Sequence, residues 1–317
     1  CLSSIALALG LLIVAASQNI AIYFVGWAII GLGMGAGLYD AAFSTLGALY
    51  GQNARSAIST VTLFGGLAST LCWPLTALLL ELVGWRGACL AYAVTQLSVC
   101  LPLYAWALPR EGGAKLTLED EIADKPRAGA KSSDYLWLLA LLGAVNLLIS
   151  AIGVIVSVQL VELLQSAGAG LVAAVGLATL IGPAQVVARL AERAIGGWFH
   201  PAWTLALSSA LVAAGSGLLT SGPSFAALAL MIYGAGAGLH SIARGATPLA
   251  LFGSGDYAVT IGRLAAPVFM AQAIAPVAST LLLASHGANA VLYGLAGAAL
   301  VALALSCGIL VMARRRS

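Results

Sequence analysis

Three residue patterns in this chain are of kinds that carry chemistry. Gly31, Gly33 and Ala36, in the stretch GLGMGAGLYD at 31–40, satisfy the G-x-G-x-x-A spacing of a dinucleotide-binding loop. Asp40, His240 and Arg244 are ionisable residues set in long apolar runs. They could hold a charge, contact an ionic solute or, for His240, relay a proton. Asn146, Ser150 and Ser157 recur at spacings of four and seven, the period of one helix face, with Gln159 and Glu162 close behind. That face could hydrogen-bond a polar solute or bridge two helices.

Other chemistries lack residues to carry them. The five cysteines (Cys1, Cys72, Cys89, Cys100, Cys307) are scattered, without C-x-x-C spacing, and the three histidines lie far apart. No H-E-x-x-H, G-x-S-x-G or Walker A sequence occurs. The expectation is no metal, no cofactor, no enzyme and no drive by ATP.

The elements that must position these residues follow from composition. The 317 residues are 61% hydrophobic and 8% charged, whereas a soluble domain carries about a quarter charged residues. Long apolar runs recur between short polar breaks, so the chain is an all-α polytopic membrane protein. Candidate spans fall near 2–17, 20–48, 56–81, 87–108, 136–162, 169–188, 202–220, 224–250, 258–284 and 287–312, about ten in all. Runs this long and apolar on every side exclude the short alternating strands of a membrane β-barrel.

This setting decides the glycine question. A dinucleotide loop needs a preceding strand and a solvated helix N-terminus. The stretch at 31–37 has neither, because it lies inside an apolar span. Gly31, Gly33, Gly35 and Gly37 therefore read as a helix surface stripped of side chains, on which a neighbour can approach or slide. Pro74, Pro267 and Pro276 interrupt other spans and permit bends.

Basic residues sort by side. Counted from the first span, one side receives Arg55, then Arg110, Lys115, Lys125, Arg127 and Lys131, then Arg189 and Arg193, then Arg244 and Arg263, then Arg314, Arg315 and Arg316. The other side receives Arg86 alone. The positive-inside rule then places both termini and the 109–135 loop in the cytoplasm of an integral membrane protein, of a bacterial inner membrane or another cell membrane. The slight positive charge is topological and implies no nucleic-acid partner. No oligomer is implied.

The chain also repeats itself. GLGMGAGLYDAAFSTLGALYG (31–51) is answered by GAGAGLHSIARGATPLALFG (234–253), so that Gly234, Gly236 and Gly238 return the earlier glycine pattern. WPLTALLL (73–80) is answered by APVASTLLL (275–283), and each helix is followed by a short turn, at Gly84-Trp85 and at His286-Gly287. Matched helices run the same way through the membrane, so the repeat is parallel. The second copy has three spans ahead of its glycine helix and the first has one. The repeat thus predicts two further helices before residue 1, a 4+6 remainder of a six-plus-six architecture.

That architecture resembles the major facilitator superfamily of secondary transporters. The resemblance rests on the parallel six-helix repeat, the basic central loop, the glycine-rich helix, the Gly-Trp-Arg turn at 84–86 and GPAQVVARLAERAIGG at 182–197. The last stretch sits where the second copy of the family's basic inter-helix motif belongs; Arg189, Glu192 and Arg193 keep its charges but not its usual order. The helix at 56–81 lacks the Gly-Pro pair of the antiporter signature. The resemblance implies domains at 1–108 (family helices three to six) and 136–317 (helices seven to twelve), joined by 109–135. It implies alternating access for a small solute, with protons as the usual coupling ion. It makes the helices of Tyr39–Asp40, Asn146–Ser150 and His240–Arg244 cavity-lining. Asp40 and Arg244 would then face each other across the pseudo-two-fold, as a gate or a solute contact, or else each snorkels to the interface. Two alternatives stand beside transport by this fold: a non-transporting pseudo-carrier, and a different ten-helix transporter fold with inverted repeats.

Overall fold

A computed structural model describes residues 1–107, 133–195, 198–255 and 257–314. The expected central loop at 109–135, with its LEDEIAD segment, lies almost wholly outside the described residues. Every element among the described residues is helical: α1 (Leu2–Ala16), α2 (Ile20–Gly37), α3 (Tyr39–Tyr50), α4 (Ala54–Thr95), α5 (Leu101–Ala107), α6 (Ser133–Ser166), α7 (Leu171–Ala178), α8 (Ile181–Ile195), α9 (Pro201–Leu219), α10 (Ala226–Phe252) and α11 (Tyr257–Arg314). Among the described residues, seven helical stretches are long and apolar enough to cross a membrane, two of them, Ile20–Tyr50 and Leu171–Ile195, made of two helices end to end.

The long runs α4 and α11 are each broken once, by glycine. Gly84 (φ 68°, ψ 177°) divides α4 and Gly287 (φ 78°, ψ 176°) divides α11. These backbone angles are open to glycine and hardly to any other residue. Both fall in the two turns that the sequence repeat aligns. By contrast, α4 passes through Pro74, and α11 through Pro267 and Pro276, without leaving helical angles.

Two expected spans are not single helices. The span at 20–48 stops at Gly37, Leu38 takes an extended conformation (ψ −162°), and α3 restarts at Tyr39. The span at 169–188 turns at Thr179–Leu180 between α7 and α8. There the Thr179 hydroxyl donates to the Gly176 carbonyl (2.6 Å), and Pro183, which has no N–H, sits in the first turn of α8, where none is needed.

The chain forms two compact units, Cys1–Thr45 with Ala68–Asp124, and Leu46–Leu67 with Lys125–Ser317. In the first, α1 and α2 pack through glycine. A Cβ at Gly10 would lie 2.9 Å from the Gly26 carbonyl oxygen, and one at Gly33 3.0 Å from the Leu7 nitrogen. Ser3 Oγ donates to the Gly33 carbonyl (2.8 Å) and lies against Gly37. Gly31 and Gly35 meet no described atom within 4 Å, so the close-packing surface expected of all four glycines is limited here to Gly33 and Gly37. The reason is angular: residues two apart on a helix point to different sides.

The second unit repeats this packing between α9 and α10. A Cβ at Gly215 would lie 2.5 Å from the Tyr233 nitrogen, and one at Gly236 2.7 Å from the Val212 nitrogen. Gly234 and Gly238 turn to the other side and back onto Ile181 and Gln185 of α8. Helix α6 supplies a stripe of buried residues, Leu138, Leu142, Val145, Ile149, Ile152 and Val156, at the three-and-four spacing of one helix face.

Candidate functional site

Four charges of the second unit, Arg55, Arg189, Glu192 and Arg193, gather where the α3–α4 hairpin (residues 46–67) meets α8, α9 and α10. Gly51 (φ 52°) turns the chain out of α3. Gly47 leaves room for the ring of Tyr257, whose hydroxyl donates to the Gly245 carbonyl (2.8 Å). Arg55, at the start of α4, then reaches two elements with one planar fork. Its Nη1 donates to the Phe199 carbonyl (2.6 Å) and its Nη2 to Glu192 Oε1 (3.0 Å). The Glu192 side chain is only 4% exposed, and Thr204 Oγ1 also donates to it (3.1 Å). A buried carboxylate held by a guanidinium and a hydroxyl is compensated in charge and in hydrogen bonds.

The neighbouring arginines of α8 extend the tie. Arg193 Nη1 donates to the Ser56 carbonyl (3.3 Å) and bonds the Thr60 hydroxyl. Arg189 is buried; its Nε donates to Ser241 Oγ (3.1 Å) and its Nη2 to Gln185 Oε1 (3.2 Å). A Cβ at Gly66 would collide with the Arg189 guanidinium, so glycine makes room for the charge. Arg189, Glu192 and Arg193, expected in a loop, stand instead on helix α8; Glu192 and Arg193 bond a hairpin more than a hundred positions earlier, and Arg189 packs against its Gly66. Arg55, Thr204, Ser241 and Gly66 were not singled out from sequence. One signal was available: Glu192 is the single acid among the arginines of its stretch, and Arg55 is the single base of its loop.

The other expected site residues fall in both units. Asp40 lies in the first turn of α3, where free backbone N–H groups favour a carboxylate, and belongs to the first unit. Tyr39 stacks on Phe43 (5.5 Å between centroids). Arg244 is half-buried on α10 of the second unit, and Ser150 is half-buried one turn beyond Asn146. In the first unit Arg86 donates to the Ser17 carbonyl (3.0 Å) and lies over the Trp85 ring (4.3 Å).

Asn146 and His240 are brought to one level. A Cβ at Gly153 of α6 would lie 3.9 Å from the Tyr233 hydroxyl of α10. As the first and fourth spans of the unit, α6 and α10 run antiparallel. Two turns from that contact, in opposite chain directions, stand Asn146 and His240. Both are buried, at 1% and 6% exposure. Asn146 Oδ1 and both His240 ring nitrogens have no hydrogen-bond partner among the described residues. Such atoms are costly in an apolar interior unless something bonds them.

Comparison with known proteins decides the family. Residues 1–254 match the Major Facilitator Superfamily. The chain belongs to that family. A search of curated proteins finds no match. Among solved structures of the same fold, the human organic anion transporter MFSD10 (TETRAN) superposes with a TM-score of 0.74 at 21% identity, over 96% of this chain and 75% of that one. The transporter FucP in its outward conformation gives 0.71 at 15%, over 99% and 81%. The proton:xylose symporter XylE, bound to 6-bromo-6-deoxy-D-glucose, gives 0.74 at 12%, over 95% and 77%. The superfamily fold, its membrane-spanning helices and its transporter character are thus those of this chain.

Proposed function

We propose that this superfamily member is a secondary transporter that moves a small solute by alternating access, and that the Arg55 network is the latch that closes its cytoplasmic end. The observation that carries the reading is the buried Glu192 carboxylate tied to Arg55. The α3–α4 hairpin belongs by sequence to the first repeat, yet packs in the compact unit of the second. A link of that kind, held by ionic and hydrogen bonds rather than by an apolar seam, can be made and broken as access alternates. The sorting of basic residues supports the cytoplasmic assignment. Proton coupling is supported by two structural neighbours, FucP, described in a second structure as the E. coli fucose:proton symporter, and the proton:xylose symporter XylE.

For the solute, Asn146 and His240 are the leading contacts, because they hold buried hydrogen-bonding atoms without partners among the described residues. Ser150, Tyr39, Asp40 and Arg244 stand second to them. A neutral hydroxylic solute suits an amide and a neutral imidazole; a monoanion would draw on Arg244.

The test is uptake by proteoliposomes, with labelled L-fucose, D-xylose and pyruvate as probes. Arg55→Glu and Glu192→Arg singly should each abolish most uptake, and the double exchange should restore part of it. Asn146→Leu and His240→Leu should abolish uptake while leaving thermal stability unchanged or raised by about 1 kcal/mol. No rescue by the double exchange would remove the latch. Uptake of none of the probes by the native chain would favour a non-transporting carrier.

A further inference from the structure

The Arg55 latch has an acid-sensitive neighbour that the transport reading does not use. His200 directly follows Phe199, whose carbonyl accepts from Arg55, and it caps α9: its Nδ1 accepts a hydrogen bond from the Ala202 amide (3.2 Å). His200 is exposed, so solution protons reach it. We propose that His200 is a pH sensor for the latch, with protonation of its ring releasing Arg55 from Phe199 and Glu192. The inference rests on the reading of the Arg55 network as a latch.

Three effects act in the same direction. An Nδ1 that carries a proton cannot accept from Ala202, so the cap on α9 is lost. A cation is then placed at a helix N-terminus, where the peptide dipoles oppose it. It also stands beside Arg55 and repels the guanidinium that holds the hairpin. The charged groups on the elements packed about it are Arg55 from α4, Glu192 and Arg193 from α8, and Arg314 from α11, whose guanidinium lies over the Trp203 ring (4.5 Å). Glu192 is already engaged by Arg55 and Thr204, and Arg193 by Ser56 and Thr60. Burial and the Arg55 charge lower the His200 pKa below its ordinary 6.5. In the latched state the ring is therefore neutral at pH 7. The latch is at full strength above the ordinary histidine value and weakens as pH falls through it toward the lowered one.

The test reads the hairpin directly. Spin labels are placed at Asn53→Cys on the hairpin and Ala194→Cys on α8, in the full chain with its native cysteines replaced by alanine. Pulsed-resonance distances are recorded at about pH 7.5 and about pH 5.5, on either side of the histidine range. A longer-distance population should grow on acidification. In His200→Asn, which keeps a capping oxygen but does not titrate, that growth should vanish; in His200→Lys the long distance should be present at both pH values. An acid response that persists in His200→Asn, or is absent from the native residue, overturns the proposal. Arg55→Ala is the separate control. If it lengthens the distance at both pH values while the pH response fails, the latch stands and only the sensor is lost. If Arg55→Ala changes nothing, the latch reading fails as well.

Discussion

The α1–α2 pair and the α9–α10 pair are two copies of one packing arrangement, and they differ at one level of the second helix. In both, a glycine of the first helix (Gly10, Gly215) meets the backbone of the second, and a glycine of the second (Gly33, Gly236) meets that of the first. Yet α2 ends at Gly37 and the chain restarts as α3, whereas α10 runs unbroken through Leu239 and His240. The difference lies in what flanks the glycines. In α10, Gly236 backs onto α9 while Gly234 and Gly238 back onto α8, so all three are packed. In α2, Gly33 and Gly37 back onto α1, and Gly31 and Gly35 meet no described atom. Each glycine costs a helix about 1 kcal/mol relative to alanine. Packing on two sides offsets that cost in the second copy, and packing on one side does not prevent the break in the first.

The largest expected effect follows from this contrast. At Gly236 and Gly238 an added Cβ would meet backbone atoms of Val212 and Gln185 at 2.7 Å, and backbone cannot yield as a side chain can. Gly236→Val and Gly238→Val should each destabilise by about 3 kcal/mol. Gly31→Ala and Gly35→Ala should instead gain up to about 1 kcal/mol each. Thermal unfolding in detergent measures both, and equal losses at all four positions would break the comparison.

Next in size are the turns that end the repeated Pro-containing helices. Gly84 and Gly287 hold nearly the same backbone angles, with no described neighbour near a Cβ. Alanine at either position meets strain and no clash, costing about 2 kcal/mol. The repeat predicts equal losses; a clear difference between the two would show that the turns are alike in shape alone.

The arginines separate the units more sharply. Arg55 ties a buried carboxylate, and its loss leaves Glu192 short of a cation, at a cost of about 1–2 kcal/mol for a pair that is partly exposed. Arg86 is exposed and donates to a backbone carbonyl, so Arg86→Ala should cost about 0.5 kcal/mol. Reversal of that order would mean the latch adds nothing to stability.

How much of this was legible follows from what each feature depends on. The spans, the two glycine turns and the fold rest on local hydropathy and on self-similarity, both written along the chain. The breaks after Gly37 and after Ala178 were not legible, because they turn on which side of a helix finds a neighbour. The Arg55 network was visible as charges but not as a site. Arg55 read as a topological charge and Arg193 as part of the inter-helix motif, and their partners lie more than a hundred positions away with no periodicity to link them. Asn146 and His240 were each noted, but their shared level emerges from one contact, Gly153 against Tyr233.

Gly66 gives the smallest change in stability and the clearest division between packing and function. A Cβ there would strike the far end of the Arg189 side chain, which can swing aside, and not backbone as at Gly238. Gly66→Ala should therefore leave stability within about 0.5 kcal/mol, because the strain of moving Arg189 is offset by helix propensity. Displacing the guanidinium would lengthen its bond to Ser241 and disturb the α8 face that carries Glu192 and Arg193. Uptake should then fall with the fold intact, and Arg189→Lys, a smaller cation, should restore part of it in the Gly66→Ala background. A loss of stability comparable to that at Gly238 would instead mean that Arg189 is fixed in place by its partners, so that Gly66 belongs with the packing glycines.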